Sequence, residues 1–182
     1  YIYLSSDGHI VDDKASTITL TPESLDENHI YNKDVNVGIK VTDSDVYSGI
    51  QSVTYRVLSD GKETKSSTTL YSFEYTRDDN ENSNGGKLII KDESATEKEV
   101  TKEGVVPTKA DLKNEWSGNI VVDSKANNSS NVVVEVTAID NAGNKSEETI
   151  GLDIDVTNPD ISVSYDNNTD NGGNAYFNAN RT

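Results

Sequence analysis

The sequence predicts an all-β protein, built as an antiparallel β-sandwich with one short helix. Apolar residues alternate with polar ones in segment after segment, which is the pattern of strands that bury one face. Gly, Asp, Asn and Ser separate these segments, and these residues favour turns. The composition, with 32% hydrophobic and 7% aromatic residues, is typical of a thin sandwich core when the apolar residues are regularly spaced.

Length, charge and cysteine content restrict the classes of function. The 182 residues suffice for one domain with a hydrophobic core. The chain has no Cys, which excludes disulfides, thiol nucleophiles and thiolate metal sites. With 16 basic and 32 acidic residues the net charge is −16, which disfavours nucleic acid as a partner. No apolar run reaches the roughly 18 residues of a membrane span, so we expect no membrane insertion of this segment.

Strands are predicted in five segments before the last hairpin. Apolar residues occupy alternate positions in two of them, at Val35, Val37, Ile39 and Val41 and at Val53, Tyr55 and Val57. Shorter apolar runs bounded by Gly, Asp or Ser predict three more, at Leu70–Tyr75, Leu88–Ile90 and Ile120–Val122.

Helical spacing is convincing in one segment, PTKADLKNEW. Pro107 suits the first turn of a helix, and Leu112 and Trp116 stand four residues apart on one helical face. We therefore predict a short helix from about Thr108 to Trp116, in an insertion before the final strands.

Polar loops are predicted from Asp78 to Gly86 and from Asp92 to Gly104. We interpret this segment, 78–104, as a solvated surface insertion. An alternative is a binding surface formed by the insertion and the aromatic strand of Tyr71, Phe73 and Tyr75, because Tyr supplies rigid contact area. The three aromatic residues share one face of the strand, so the core is the simpler place for them.

The stretch from Val132 to Val156 is predicted to be a hairpin around a polar corner. Apolar residues alternate on both sides, at Val132, Val134, Val136 and Ala138 and at Ile150, Leu152, Ile154 and Val156. In the corner, Gly143 and Asn144 tolerate positive φ, and the Asp140 carboxylate can accept backbone N–H bonds two residues on. We interpret Asp140, Asn141, Gly143 and Asn144 as turn-forming. The alternative, Asp140 and Asn144 as calcium ligands, supplies too few of the about six to eight oxygens that calcium prefers.

The two ends of the chain are similar to one another. DKASTITLTPESLDENHIYNKDV near the start matches TNPDISVSYDNNTDNGGNAYFNANRT at the end, and Ile18 and Ile161 then lie 143 residues apart. We therefore predict the end of a preceding repeat or linker at 1–14, one complete domain at 15–157, and the beginning of the next repeat at 158–182.

Three stretches carry a family resemblance: VTDSDVYSGIQSVTYRV, VTAIDNAGNKS before an alternating strand, and the restart NPDISVSYDNN. In this order they resemble the bacterial immunoglobulin-like repeats of Gram-positive cell-surface and secreted proteins, over roughly Ala15 to Thr182. The resemblance implies an immunoglobulin-like sandwich in which Asp140–Asn144 joins the last two strands and Asp45–Ile50 links earlier ones. The segment 78–104 is longer than such a hairpin needs, and the disulfide of antibody domains is absent.

Acidic residues near strand ends are the candidates for a metal site. One hypothesis is a calcium site at a junction between copies, with four candidate ligands: Asp43, Asp45, Asp155 and Asp160. The segment that starts at Asp78 resembles an EF-hand loop only at first, because Ser83 stands where Gly is required and Ile89 where Glu is required. No cofactor other than calcium is expected.

The resemblance implies a non-catalytic spacer of an extracellular bacterial surface protein, which presents other domains away from the cell. Its partners would be the neighbouring repeats of the same chain. The alternative is an adhesin-type or carbohydrate-binding module that contacts a host glycan or protein through segment 78–104. The sequence has no nucleophile elbow, phosphate-binding loop or dinucleotide-binding turn, so we expect no enzyme.

Overall fold

The protein is all-β, as the alternation predicts. The structure, a computed structural model, describes residues 12–24, 30–44, 48–79, 85–164, 169–171 and 174–176. The strands of this part are β1 Thr17–Pro22, β2 Val35–Thr42, β3 Ile50–Ser59, β4 Lys62–Arg77, β5 Gly86–Asp92, β6 Glu99–Val105, β7 Glu115–Val122, β8 Ser129–Asp140, β9 Lys145–Ile154, β10 Thr169–Asn171 and β11 Asn174–Tyr176.

Strands β1 to β9 form two antiparallel sheets. Sheet A has the order β1-β2-β7, and sheet B has the order β6-β5-β4-β3-β8-β9. Buried residues of both sheets form one hydrophobic core, as in a β-sandwich. Strands β10 and β11 pair with each other in a separate two-stranded sheet.

Strands β2 and β8 supply much of the core because their alternation is regular. The buried side chains are Val35, Val37, Ile39 and Val41 in β2 and Val132, Val134, Val136 and Ala138 in β8. The residues between them are half-buried or exposed. Burial of a valine or isoleucine side chain contributes about 1.5–3 kcal/mol, so this alternation fixes which face of each strand turns inward.

The helix predicted from Thr108 to Trp116 is wrong. Only Lys109–Asp111 forms a helical turn, a 3-10 helix of 3 residues, and Trp116 lies in β7 with its side chain buried. β7 pairs with β2 along its whole length, and this pairing carries Trp116 into the core. No helix in the described residues is long and apolar enough to span a membrane.

The loop predicted from Asp92 to Gly104 is wrong in its second half, where the chain forms β6. β6 pairs with β5 and is the edge strand of sheet B. Its residues are mostly exposed, and Glu99, Lys102 and Glu103 give it a charged character. Charged side chains on an edge strand oppose pairing with other chains, and they also remove the alternation that identifies a strand in sequence.

The strands define two poles of the sandwich. The N-terminal pole is the end where β1 begins at Thr17 and β8 ends at Asp140; the C-terminal pole is the end where Ser129 pairs with Ile154. β8 has 12 residues and runs from one pole to the other, a length of about 40 Å for an extended strand. The chain therefore enters the sandwich at one pole and leaves it at the opposite pole.

Candidate functional site

The polar corner lies at the N-terminal pole, where it connects β8 to β9. The Asp140 carboxylate accepts hydrogen bonds from the backbone N–H of Ala142 at 2.9 Å, from that of Asn144 at 2.8 Å and from the Asn144 side-chain amide at 2.9 Å. Gly143 has φ of +95°, in the region that favours glycine. Asn144 does not have a positive φ. The four residues predicted to form the turn thus lie together in it.

The corner is attached to the β2–β3 connection of the same pole. The Asn141 backbone N–H donates to the carbonyl of Gly49 at 2.9 Å, and its side-chain amide donates to the carbonyl of Ser48 at 2.8 Å. Gly49 has φ of +68°, and a Cβ there would lie 3.2 Å from Cβ of Leu112. Only glycine fits this approach without displacement.

Three carboxylates meet at this pole. Oxygens of Asp12, Asp43 and Asp140 all lie within 4.8 Å of one another. Asp43 is 4% exposed and Asp140 is 0% exposed, whereas Asp12 is half-buried. The Ser48 hydroxyl lies 2.5 Å from Asp12 Oδ2 and 3.0 Å from Asp43 Oδ2. A hydroxyl has one proton, so it donates to only one of these carboxylates at a time.

This acidic cluster joins three parts of the chain. Asp43 directly follows β2 of sheet A, Asp140 ends β8 of sheet B, and Asp12 precedes β1. The Asn144 side-chain amide also donates to the backbone carbonyl of Asp12 at 3.0 Å. The segment that leads into the sandwich is therefore held by side chains of the corner.

The structure separates the residues that the sequence suggested as calcium ligands. Asp43 belongs to the acidic cluster, and Asp45 lies outside the described residues. Asp155 and Asp160 are exposed and follow β9, beyond the C-terminal pole. Asp12 was not among the suggested ligands. Its signal in the sequence is its spacing, because it lies 143 residues before Asp155, the same spacing as between the matched isoleucines of the two similar ends.

At the C-terminal pole, a clamp holds the segment that leaves β9. Asn128 Oδ1 accepts the backbone N–H of Val156 at 3.0 Å, and the Asn128 amide donates to Thr157 Oγ1 at 3.0 Å. Asp155 Oδ1 accepts the backbone N–H of Thr157 at 2.8 Å. Side chains thus fix the direction of the chain at both poles.

A buried polar network, which the sequence did not reveal, connects the two sheets. Asp92 at the end of β5 is 5% exposed. Its carboxylate accepts hydrogen bonds from Lys113 Nζ at 2.6 Å, Trp116 Nε1 at 2.9 Å and Ser94 Oγ at 2.5 Å. Burial acts to raise the pKa of Asp92, but the bonds from Lys113, Ser94 and Trp116 together hold it below its usual value. The network is a charged link between sheets A and B.

The aromatic strand faces the core: two of its rings are buried, and the third, Tyr75, is half-buried. Tyr71 is 0% exposed and Phe73 is 2% exposed, and Tyr75 packs against the same cluster. Burial raises the pKa of Tyr71 well above its usual range, with a further contribution from Asp92. These residues therefore stabilise the sandwich.

An open groove lies along β7, the edge strand of sheet A. Its volume is about 550 Å³. Leu70 and Trp116 are among its apolar residues, and Lys40, Glu93 and Asn119 are among its polar residues. Glu93 belongs to the segment 78–104, so that segment borders this groove.

In comparisons with known proteins, no family model, no curated protein and no solved structure matches the chain. A functional proposal for this protein therefore depends on its own fold and contacts.

Proposed function

We propose that this protein is a non-catalytic spacer module of an extracellular bacterial surface protein, with an immunoglobulin-like fold. The observation that carries the proposal is the path of the chain: it enters at the N-terminal pole and leaves at the C-terminal pole, and side chains hold it at both. A module with this path separates its neighbours by about the length of β8, which runs from pole to pole, some 40 Å. Modules joined end to end in this way form a stalk.

The strand order supports the immunoglobulin-like part of the proposal. In immunoglobulin domains the first, second and fifth strands share one sheet, and the third, sixth and seventh share the other. Here β1, β2 and β7 form sheet A, and β3, β8 and β9 are neighbours in sheet B. Strands β4, β5 and β6 extend sheet B in the position where variable-type domains add strands.

The segment after the clamp supports a tandem arrangement. Ile161 is 79% exposed and Val163 is 67% exposed. They alternate as Ile18 and Leu20 do in β1, where the corresponding side chains turn toward the core. Two exposed apolar residues in a strand-like pattern suit the first strand of a further module. We propose that residues 158–182 are the beginning of that module.

Mechanical unfolding of the full chain, held at its two ends, tests the spacer function. The load then passes through β1 and β9, which lie against each other, and we expect a single cooperative rupture. Unfolding of the domain at 15–157 should lengthen the chain by about 500 Å, at about 3.6 Å for each unfolded residue. Gradual extension at low force, without a discrete rupture, would contradict a load-bearing spacer.

A second candidate function is carbohydrate or host-protein binding through the groove along β7. It is favoured by the polar residues Lys40, Glu93 and Asn119 beside the apolar wall of Leu70 and Trp116. A glycan array probed with the full chain tests this function. The Asn119 side chain is exposed on β7, so glycan binding that disappears in Asn119→Ala would support the groove as the binding site. No binding to any glycan on the array would rule out carbohydrate binding.

A further inference from the structure

The distances within the acidic cluster suit one hard cation. Calcium binds oxygen ligands at about 2.3–2.6 Å, so two ligands on opposite sides of one ion lie up to about 5 Å apart. The carboxylate oxygens of Asp12, Asp43 and Asp140 lie within 4.8 Å of one another. Magnesium, with bonds of about 2.0–2.1 Å, requires ligands closer than about 4.2 Å. Calcium accepts any separation up to this limit and tolerates an irregular set of ligands, whereas magnesium needs a regular octahedron, so the cluster suits calcium better.

A buried hydroxyl beside the cluster is a second, separate observation. Ser16 is 4% exposed, and its Oγ has no hydrogen-bond partner among the described residues. Thr17 pairs with Thr42, so continuation of this antiparallel register sets Ser16 opposite Asp43. Both side chains turn inward, because Ser16 alternates with exposed Thr17 and Asp43 with exposed Thr42. Directly opposite residues on one face have Cβ atoms about 4.5–5.5 Å apart.

A buried hydroxyl without a partner is costly, and it needs an explanation at the place where it occurs. The Ser16 hydroxyl could donate its proton to a carboxylate, yet Oγ makes no hydrogen bond with any of the three, and a lone pair of Oγ stays without a partner among the described residues. A cation held by the carboxylates would satisfy that lone pair. The corner leaves room for such an ion at one oxygen of Asp140: Oδ1 accepts two backbone N–H bonds, but within the described part of the chain Oδ2 accepts only the Asn144 amide and keeps a second lone pair.

The geometry points to a calcium site at the N-terminal pole, formed by the carboxylates of Asp12, Asp43 and Asp140 with the Ser16 hydroxyl as a neutral ligand. Water would complete the coordination of about six to eight oxygens. The site stands on these contacts and does not depend on the proposed spacer function. It ties together Asp12 ahead of the sandwich, Asp43 of sheet A and Asp140 of sheet B, so it fixes the leading segment against both sheets.

Calcium titration of the full chain by calorimetry, after treatment with chelator, tests the site. We expect one ion for each chain and a higher melting temperature in calcium than in chelator, followed by the fluorescence of Trp116, the single Trp. Magnesium should bind at least about tenfold more weakly, because it demands a smaller and more regular set of ligands. An absence of binding heat together with an unchanged melting temperature would overturn the proposal.

A variant and its control locate the ion. Asp12→Asn should weaken calcium binding at least about tenfold, since a loss of 10- to 100-fold is already common when residues that only orient ligands are changed. Asp155→Asn is the matched control at the opposite pole, where the amide oxygen can still accept the N–H of Thr157, and it should leave the affinity unchanged. Equal losses in both variants, or none in Asp12→Asn, would place the ion elsewhere and overturn the assignment.

Ser16→Ala tests the fourth ligand. Weaker calcium binding with an unchanged melting temperature in chelator supports a hydroxyl that serves the ion, whereas unchanged binding removes Ser16 from the site. Because Asp43 is buried, Asp43→Asn has a risk of misfolding. Asp12, which precedes the strands and is half-buried, carries the test without that risk.

Discussion

Trp116 on β7 donates its indole N–H to Asp92 on β5, with 2.9 Å between Nε1 and Oδ1. The bond crosses from sheet A to sheet B, and both residues are at most 5% exposed. A hydrogen bond to a buried carboxylate is stronger than one between neutral groups, and removal of the donor leaves the acceptor without water to replace it. The two sheets are therefore joined by a directional contact in addition to apolar packing.

We expect Trp116→Phe to lower the free energy of unfolding by about 1–3 kcal/mol, because Asp92 loses a buried donor and the smaller ring leaves space. Urea unfolding followed by circular dichroism measures the change. Tyr71→Phe is the matched aromatic control: the Tyr71 hydroxyl is buried without a partner among the described residues, so its removal should be neutral or stabilising. An unchanged free energy of unfolding in Trp116→Phe would show that the hydrogen bond between the sheets does not stabilise the fold.

The pKa of Asp92 predicts a stability loss in acid. Since this pKa is lowered in the folded state, the unfolded chain binds the proton more readily, and the carboxylate stabilises the fold above its unfolded pKa of about 3.9. That contribution disappears as the pH falls through the lower folded pKa. Urea unfolding at several pH values should show a weaker pH dependence below about pH 4 for Asp92→Asn. The same change at exposed Asp13 should keep the wild-type dependence, and an identical curve for both variants would contradict the prediction.

We expect Gly143→Ala to destabilise the protein by about 1–2 kcal/mol, the usual cost of a left-handed backbone in a residue with a Cβ. No atom lies within 4 Å of the added Cβ, so the effect would come from the backbone alone. Gly151→Ala on β9 is the control, since the nearest atom to its Cβ is 4.0 Å away and its φ is not positive. Alanine should stabilise that strand position by up to about 1 kcal/mol. Melting temperatures of the two variants that shift in the same direction would argue against the assigned turn geometry.

Asn128→Ala should release the segment after β9. Without the Asn128 acceptor, the amide hydrogen of Val156 should exchange about five times faster, which corresponds to the loss of a hydrogen bond of about 1 kcal/mol. Hydrogen exchange followed by NMR measures this rate. Asn131→Ala, at an exposed position of β8, is the control and should leave the exchange of Val156 unchanged. Equal exchange rates of Val156 in both variants would mean that Asn128 does not hold the segment after β9.

The sequence alone predicts the strands whose apolar residues alternate. β2, β8 and β9 follow from this alternation, because burial of one face determines both the existence and the orientation of such a strand. β6 was missed because the edge of a sheet buries little, so Glu99–Val105 has no apolar alternation. Trp116 was assigned to a helix on its spacing from Leu112, although its alternation with Ile120 and Val122 is the pattern that the structure follows.

The acidic cluster and the Asp92 network could not be predicted for a different reason. Their members come from distant parts of the chain, and the alternation of apolar and polar residues reports neighbours within one element only. Asp12, Asp43 and Asp140 meet because β2 and β8 end at the same pole, and this depends on how the two sheets stack. Likewise, Asp92 reaches Trp116 only after both sheets have formed.

The position of Asp12 changes what a boundary between repeats would mean. Asp155 holds the equivalent place, 143 residues later, so in a tandem array the last acidic residue of one copy would complete the cation site of the next. Each junction would then share a ligand between neighbours, and the stability of a copy would depend on the tail of the copy before it. Withdrawal of calcium would loosen the boundaries ahead of the modules, and a rigid rod would become a jointed chain whose links remain folded.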